Sequence, residues 1–588
     1  MKYIDLVELY EKLESTTKRL EKTYYLSEFL KEVKEDEMEM VILLLQGLVF
    51  PSYDERKIGV AARLVLKALN VATGNTVDQI EKEWKKIGDL GLVAEKLCAK
   101  KSQSTLFSQS LNMKKVFDNL RKLPEMQGEG TVDNKISLIT ELLTSAQPKE
   151  AKFIIRTLLE DLRVGVAQGT LRDAIVWANF STEAGVEYDE KTKQIIVEDR
   201  EKYNEYVMLV QEAIDILNDY SKVAVIAKQK REKGLKELDL EVGRPIRVML
   251  FQKAHDIEDA FERVGKPCAF EYKYDGFRLQ IHKKSGKITL YTRHLENVTK
   301  QFPEVVKYAE THIDADNFIL EGEAVGFDPK TKKYKPFQFV SQRIKRKHDI
   351  EELSKKLPVE LNIFEVIYLN GKNCIKEPYE KRREMIEKII KEEKWKIIIA
   401  KQIVTSSEKD AKKFYEEALA NGQEGTMAKN MKGIYKPGSR VGFGVKIKPT
   451  MDTLDLVIVG AQWGEGKRSK WLSSFTIACL DEDTGEYVEL GNVGTGIKEL
   501  EGEGVTFDQL TKLLQPLIIE DKGKTVKVTP KIVVEVDYEE IQKSPTNSSG
   551  YALRFPRVVN LREDKPAEEA STLQLIEDYF DEQRGRNK

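Results

Sequence analysis

The chain has 588 residues, too many for one hydrophobic core, and at about 150 residues per domain it should hold three or four domains. Hydrophobic residues make up 41% and charged residues 33%, a mix that can build several packed cores and argues against a membrane protein. The net charge of −2 excludes a polycation, so a nucleic-acid partner would need local basic patches.

Met1-Lys2-Tyr3-Ile4-Asp5 lacks the apolar core of a signal peptide. The longest apolar run, Met40 to Phe50, is broken by Gln46 and Gly47 and reads as a buried helix, too short to span a bilayer. A cytoplasmic or nuclear protein is expected, nucleoid-associated in a prokaryote, and a monomer. Cys98, Cys268, Cys374 and Cys479 form no close pair, which excludes a zinc ribbon on paired cysteines and argues against a disulfide framework.

Residues 1–225 read as all-helical. Apolar positions recur at three and four, as in Leu6, Leu9, Tyr10 and Leu13, and again in Phe153, Ile154, Leu158, Leu159 and Leu162. No alternating strand pattern of useful length precedes about residue 245. Within this region Arg163 and Arg172 flank Gly165 and Gly169 at a helix junction. Backbone N–H groups near a helix start can hold a phosphate without reading sequence; an ordinary helical junction is the alternative. Lys228 to Lys236 reads as a charged linker, and Gly243-Arg244-Pro245 as the start of the next unit.

From Ile246 to Lys448 strands alternate with helices, an α+β layout with mixed sheets. Strands are predicted at 269–274, 278–283, 287–292, 318–325, 359–367 and 444–448, and helices at 300–311, 379–392 and 408–420. Glu271-Tyr272-Lys273-Tyr274-Asp275-Gly276-Phe277-Arg278 stands near the start. Lys273 lies on a strand among apolar residues, just before an Asp-Gly turn. Desolvation or nearby cations can free such an amine as a covalent nucleophile. Lys446 and Lys448, two apart on a strand, share one face and suit an anion. Glu323 and Glu424 adjoin apolar segments without His or Cys companions, which argues for a hard cation rather than zinc. From Met451 onward short strands separated by turns predict a small β-barrel, closed by a helix at about 568–580.

These segments, followed in order by Thr292-Arg293, Glu321-Gly322-Glu323-Ala324-Val325, Asn362-Ile363-Phe364-Glu365, Glu424-Gly425-Thr426-Met427-Ala428-Lys429, Val445-Lys446-Ile447-Lys448-Pro449 and Leu553-Arg554-Phe555-Pro556-Arg557, resemble the ATP-dependent DNA ligases of archaeal and eukaryotic type, within the covalent nucleotidyltransferases. The resemblance covers almost the whole chain. It implies a helical DNA-binding domain (1–225), an adenylation domain (226–449) and an OB-fold domain (450–588). It implies nick sealing in duplex DNA during replication, repair and recombination, through a lysine–AMP intermediate on Lys273. ATP and Mg2+ are the implied cofactors, with Mn2+ as the alternative metal. The same resemblance assigns Glu271 to the base, Phe364 to one adenine face, and Arg278, Arg293 and Arg440 to ribose and phosphates. It gives Lys446 and Lys448 to the α-phosphate, Glu323 to ribose or metal, Glu424 to metal, and Arg554 and Lys565 to the β- and γ-phosphates. Arg163, Gly165, Gly169 and Arg172 are implied DNA contacts. Gln103, Leu106 and Phe107 resemble a sliding-clamp peptide, incompletely, because Ser108 stands where a second aromatic is usual. Glu365 stands where the family has an aspartate, so its role is open. RNA ligases and GTP-using capping enzymes share the lysine, but the helical first region and the Leu553–Arg557 ending favour a DNA ligase. The cysteines of an NAD-dependent ligase zinc finger are missing. The spacing of Gly464-Glu465-Gly466-Lys467-Arg468-Ser469 does not match a P-loop; this basic loop is expected to meet the DNA backbone.

Overall fold

The computed structural model describes residues 1–583 apart from 55, 101–110, 127, 129, 345, 347, 439, 450, 451, 466, 467, 501 and 503, and only the backbone of 338, 440, 441 and 582. The clamp-peptide candidates Gln103, Leu106 and Phe107 lie outside the described residues, as do Gly466 and Lys467 of the basic loop. Among the described residues no helix is long and apolar enough to cross a membrane.

The first region is helical from Tyr3–Glu14 to Tyr220–Lys236. Its helices bury the three-and-four-spaced apolar positions in one core, which includes Leu6, Tyr10, Phe153 and Ile154. Two expectations fail here. A short antiparallel hairpin, β1 (Val186–Asp189) and β2 (Gln194–Val197), interrupts the helices; four-residue strands are too short to register as an alternating pattern. The charged run Lys228 to Lys236 is no linker but the second half of a helix, with a break at Arg231 (φ 54°, ψ −149°). Lysine and glutamate are good helix formers, and Lys228 Nζ donates to Leu30 O at 3.2 Å and Lys31 O at 3.0 Å. Those carbonyls close the helix Arg19–Glu32, whose last C=O groups lack partners within the helix.

The central region holds β3 (Leu250–Lys253), β4 (Cys268–Lys273), β5 (Phe277–Lys284), β6 (Lys287–Thr292), β7 (Phe318–Gly326), β8 (Val359–Leu369), β9 (Lys372–Asn373), β10 (Ile397–Ile399), β11 (Gln402–Thr405), β12 (Gly425–Asn430) and β13 (Arg440–Ile447). They form two mixed sheets. One runs β10-β8-β7-β5-β6 with β9 beside β8; the other runs β11-β4-β12-β13-β3. The predicted strands match to within a few residues, and the helix at 408–420 matches at both ends.

β4 and β5 are adjacent in sequence but lie in different sheets. Asp275-Gly276 is therefore where the chain crosses from one sheet to the other. Gly276 passes so close to β7 that a Cβ there would lie 2.4 Å from Ala324 O and 3.0 Å from Glu323 Cγ.

The last region is strand-rich: β14 (Leu454–Trp463), β15 (Leu472–Leu480), β16 (Tyr487–Val493), β17 (Ile518–Asp521), β18 (Thr525–Val528), β19 (Val533–Asp537), β20 (Glu540–Lys543), β21 (Tyr551–Arg554) and β22 (Arg557–Leu561). β14 anchors a sheet ordered β16-β15-β14-β18-β17, with β19 and β22 joined through β14; β20 pairs β21. The strand content agrees with the expected barrel, although these pairings among the described residues do not close a ring. The final helix, Leu573–Glu582, begins five residues later than expected.

Replacing Gly276 with alanine forces a methyl group onto the β7 backbone. Overpacking of this kind costs about 1–3 kcal/mol, to be read as a lower denaturant midpoint with an unchanged slope. A midpoint equal to wild type would mean the crossing is looser than described.

Candidate active site

A cavity of about 640 Å3 lies between the two central sheets and is also touched by the last region. Strand register builds its floor in two rows. In the outer row Lys273 of β4 pairs with Gly425 of β12, and Thr426 with Ile447, so Lys448 follows at the next position. In the inner row Gln402, Glu271, Met427 and Lys446 stand opposite one another across β11, β4, β12 and β13. Gly425 has φ 134°, and a Cβ there would lie 2.2 Å from Ile447 O. Only glycine suits that backbone, and its bare surface lies between the two lysines.

Glu424 is the electrostatic centre of the outer row. Its Oε2 accepts from Lys273 Nζ and stands 2.9 Å from Lys448 Nζ. Burial pushes its carboxyl up, but Lys273 and Lys448 outweigh that and hold it well below the usual carboxylate range. Burial likewise works against the Lys448 ammonium, yet Glu424 raises its pKa above the ordinary value. Lys446 goes the other way, lowered by burial and then by its neighbour Lys448.

Glu323, half-buried on β7, lines the cavity. Among the described residues no hydrogen bond or ion pair reaches its carboxylate. Burial pushes its carboxyl up to about 8, with Lys273 and Arg278 opposing and Glu424 and Asp275 adding. A desolvated carboxylate without a donor, beside a second carboxylate, fits a hard divalent cation that would take its remaining ligands from phosphate and water. No group of three or more His, Cys, Asp or Glu side chains suited to a metal occurs among the described residues.

The inner end is aromatic and cationic. The Arg278 guanidinium and the Lys429 ammonium each lie 5.1 Å from the Phe364 ring centroid. Arg278 is fixed by Glu321 and by Met249 O at 3.0 Å. Glu271 is deeply buried, and its carboxylate is engaged by Lys429, Tyr379 and Gln402. Glu365 also lines the cavity, but Arg382 holds both of its oxygens, at 2.7 and 3.0 Å, in a buried pair. Arg293 is exposed at the cavity rim. The side chain of Arg440 lies outside the described residues; its backbone opens β13.

The last region contributes Glu539, Arg554 and Phe555 to the cavity. Glu539 Oε2 lies 3.1 Å from Lys448 Nζ, and Arg554 leans on Glu540 at 3.3 Å. Phe555 is 67% exposed with φ 51°, a strained backbone of the kind that collects at functional sites. Lys565 does not join them. Its ammonium binds Asp455 at 2.8 Å, beside Arg562, which grips the same carboxylate through both oxygens at 3.0 Å.

Arg163, Gly165, Gly169 and Arg172 lie apart, around the start of the helix Gln168–Ala184, whose N-cap Ala167 offers no side-chain acceptor. Both arginines are held within the helical region: Arg163 by Asp161 at 2.6 Å, and Arg172 by Asp173 at 2.6 Å and Gln211 at 3.1 Å.

Comparison with known proteins gives the family. Residues 248–448 match the family model described as "ATP dependent DNA ligase domain", residues 2–176 "DNA ligase N terminus", and residues 468–565 "ATP dependent DNA ligase C terminal region". The protein named DNA ligase from Nanoarchaeum equitans is 46% identical, covering 100% of this chain and 99% of its own length. That of Thermococcus fumicolans is 42% identical, covering 99% and 98%. The chain belongs to the ATP-dependent DNA ligases. A solved structure titled "Pmar-Lig_PreS3", 16% identical with a TM-score of 0.55 over 95% of this chain and 99% of its own, shares the fold.

Within this ligase the sequence reading missed Glu539, Lys429, Tyr379 and Gln402. Glu539 comes from another region of the chain and carries no local signal. Lys429 ends a quoted motif, but only the register of β12 on β4 turns it toward Glu271.

Glu323 supplies a pH test. Its ordinary value of 4.5 rises to about 8 in the fold, so between these values the folded chain holds a proton that the unfolded chain has lost. Stability therefore falls as pH rises through that window. In metal-free buffer the denaturation midpoint is expected to drop between about pH 5 and about pH 8, and Glu323→Gln should flatten the drop. Equal slopes for the two proteins would contradict the assignment.

Proposed function

We propose that this ligase seals nicks in duplex DNA during replication, repair and recombination, with Lys273 as the nucleophile. The observation that carries the reading is the Lys273–Glu424–Lys448 group at the floor of a cavity between two sheets. In the first step the neutral Lys273 amine, its proton lost, attacks the α-phosphorus of ATP. An N–P bond forms, the bridging P–O bond breaks, and pyrophosphate leaves. In the second, the 5′-phosphate of the nick attacks the same phosphorus and frees the lysine. In the third, the 3′-hydroxyl attacks the activated 5′-phosphate, forms the phosphodiester and releases AMP.

Each residue has a physical reason for its role. Lys446 and Lys448 face the α-phosphate, where negative charge accumulates in flight. Gly425 leaves space between the lysines for that phosphate. Phe364 offers a face to adenine, Glu271 an acceptor to its edge, and Arg278, Arg293 and Arg440 match ribose and phosphate oxygens with fixed donors. Glu323 and Glu424 would hold Mg2+, or Mn2+ in its place. Such an ion supplies phosphoryl charge neutralisation. If Glu424 were engaged by such an ion, Lys273 would lose its counter-ion and shed its proton more readily. Arg554 is proposed to meet the β- and γ-phosphates, with Lys565 reaching them after release from Asp455.

The helical residues 1–225 are proposed to grip the duplex through the Gly165–Gly169 junction, Arg163 and Arg172. Residues 226–449 are proposed to adenylate and 450–588 to close over the nucleotide as an OB-fold; the helix Tyr220–Lys236 crosses the first of these boundaries. Gln103, Leu106 and Phe107 are proposed to dock a sliding clamp. The protein is proposed to act as a monomer in the cytoplasm, at the nucleoid.

Lys273→Arg keeps the charge but stays protonated, so it should form no AMP adduct while nicked-duplex binding, read by gel shift, stays near wild type. Normal adduct formation would overturn the reading. Arg554→Ala should slow single-turnover adduct formation far more than sealing of a nick already carrying 5′-AMP, because pyrophosphate leaves only in the first step. A lost phosphate donor is worth about 2–4 kcal/mol in a dry site. Equal losses in both steps would move Arg554 to a DNA or folding role.

A further inference from the structure

Glu271 sits at the inner end of the cavity with every polar neighbour donating to it. Its Oε1 accepts from the Tyr379 hydroxyl, from Gln402 Nε2 at 3.1 Å and from Arg383 Nη1 at 3.5 Å. Its Oε2 lies 2.5 Å from Lys429 Nζ. Gln402 stands directly across from Glu271 on β11, and Lys429 lies two residues beyond its β12 partner Met427, so the sheet itself aims these groups at one carboxylate. A carboxylate ringed by donors can only accept. The Lys429 ammonium also lies over two rings, 5.1 Å from the centroid of Phe364 and 4.7 Å from that of Tyr379. One buried cation thus touches both the group that would read a base edge and the ring that would read a base face.

We propose that Lys429, supported by Gln402, is the positioning residue that makes this site selective for a 6-amino purine nucleotide over a 6-oxo one. The inference rests on the proposed adenylation of Lys273 and adds the residue that sets its choice of base. An acceptor-only carboxylate suits the exocyclic amine of adenine, a donor, and opposes the oxygen that guanine carries at the same position, an acceptor. A site built around such a hydrogen bond rejects the analogue because a buried polar group would be left without a partner. Lys429 enforces this twice. It holds Oε2 in place, and through the cation–π contact it keeps Phe364 at a fixed height relative to that oxygen. Gln402 and Tyr379 fix Oε1, so the carboxylate cannot rotate to hide its acceptor.

The test compares covalent adduct formation on the full chain with ATP and with GTP at the same Mg2+ concentration. For Lys429→Met the KM for ATP should rise about tenfold or more, with the maximal rate changed by less than about threefold, because binding rather than the phosphoryl step is affected. The ATP-to-GTP ratio of kcat/KM should fall about tenfold or more, and Lys429→Arg should restore part of it. Loss of a merely structural residue would slow both nucleotides alike, so a ratio within twofold of wild type overturns the proposal. Should Lys429→Met fail to fold, Gln402→Leu at the half-buried sheet edge reads the same ratio. A fall of about threefold supports the cage, and no change overturns it. Absence of any adduct in the wild type would instead sink the adenylation reading, a result separable from an unchanged ratio.

Discussion

One carboxylate oxygen, Oε2 of Glu424, sets the arrangement of the site. It receives Lys273 and Lys448 together, and its side chain is only 9% exposed. Two ammonium groups converging on one buried oxygen need compensation at every point, because a buried charge without a partner costs several kcal/mol. The outer cross-strand row meets that need by register alone: β4 brings Lys273, β13 leads to Lys448, and Gly425 between them carries no side chain. Glu539 extends the same chain of charges into the last region through Lys448. The three charged partners therefore come from separate stretches of sequence, and the last region is tied to the floor of the cavity through Glu539. The same group explains why a lysine can wait here without reacting. Its ammonium stays paired until a cation competes for Glu424 or a phosphate competes for the lysines.

The second constraint is the split between the sheets. β4 and β5 are separated by three residues yet belong to different sheets, so Lys273 and Arg278 face one another across a cleft instead of lying along one strand. Gly276 permits the crossing by its closeness to Ala324 O. The cleft in turn separates two environments. Its outer row is cationic and suits phosphate; its inner end, with Phe364, Tyr379 and the ringed Glu271, suits a flat base with a polar edge. The distance between these environments is fixed by strand geometry, two residues along β4 from Glu271 to Lys273, about 7 Å.

Much of this was legible in the chain. The strand carrying Lys273, the shared face of Lys446 and Lys448, and the carboxylates Glu323 and Glu424 follow from local pattern and motif order, and the structure brings them into one cavity. What was not legible depends on contacts between distant segments. Glu539 looks like any charged turn residue until the last region folds back. Lys565 reads as a phosphate-seeking cation, but Asp455, more than a hundred positions earlier, holds it. Glu365 follows the aromatic of a site motif and lines the cavity beside it, yet it serves Arg382, a partner on a later helix that the motif does not show. The lysine-rich run before residue 236 has linker composition, but helix propensity and the open carbonyls of a neighbouring helix decide its structure.

The most direct measurement is the chemical identity of the bond made to ATP. The full chain is incubated with ATP and Mg2+, denatured, digested and sequenced by mass spectrometry. The account predicts one adenylyl group per chain, on the peptide containing Lys273, through a phosphoramidate that survives alkali and is lost in mild acid. An adenylyl group on any other residue, or AMP that washes away on denaturation, would contradict it.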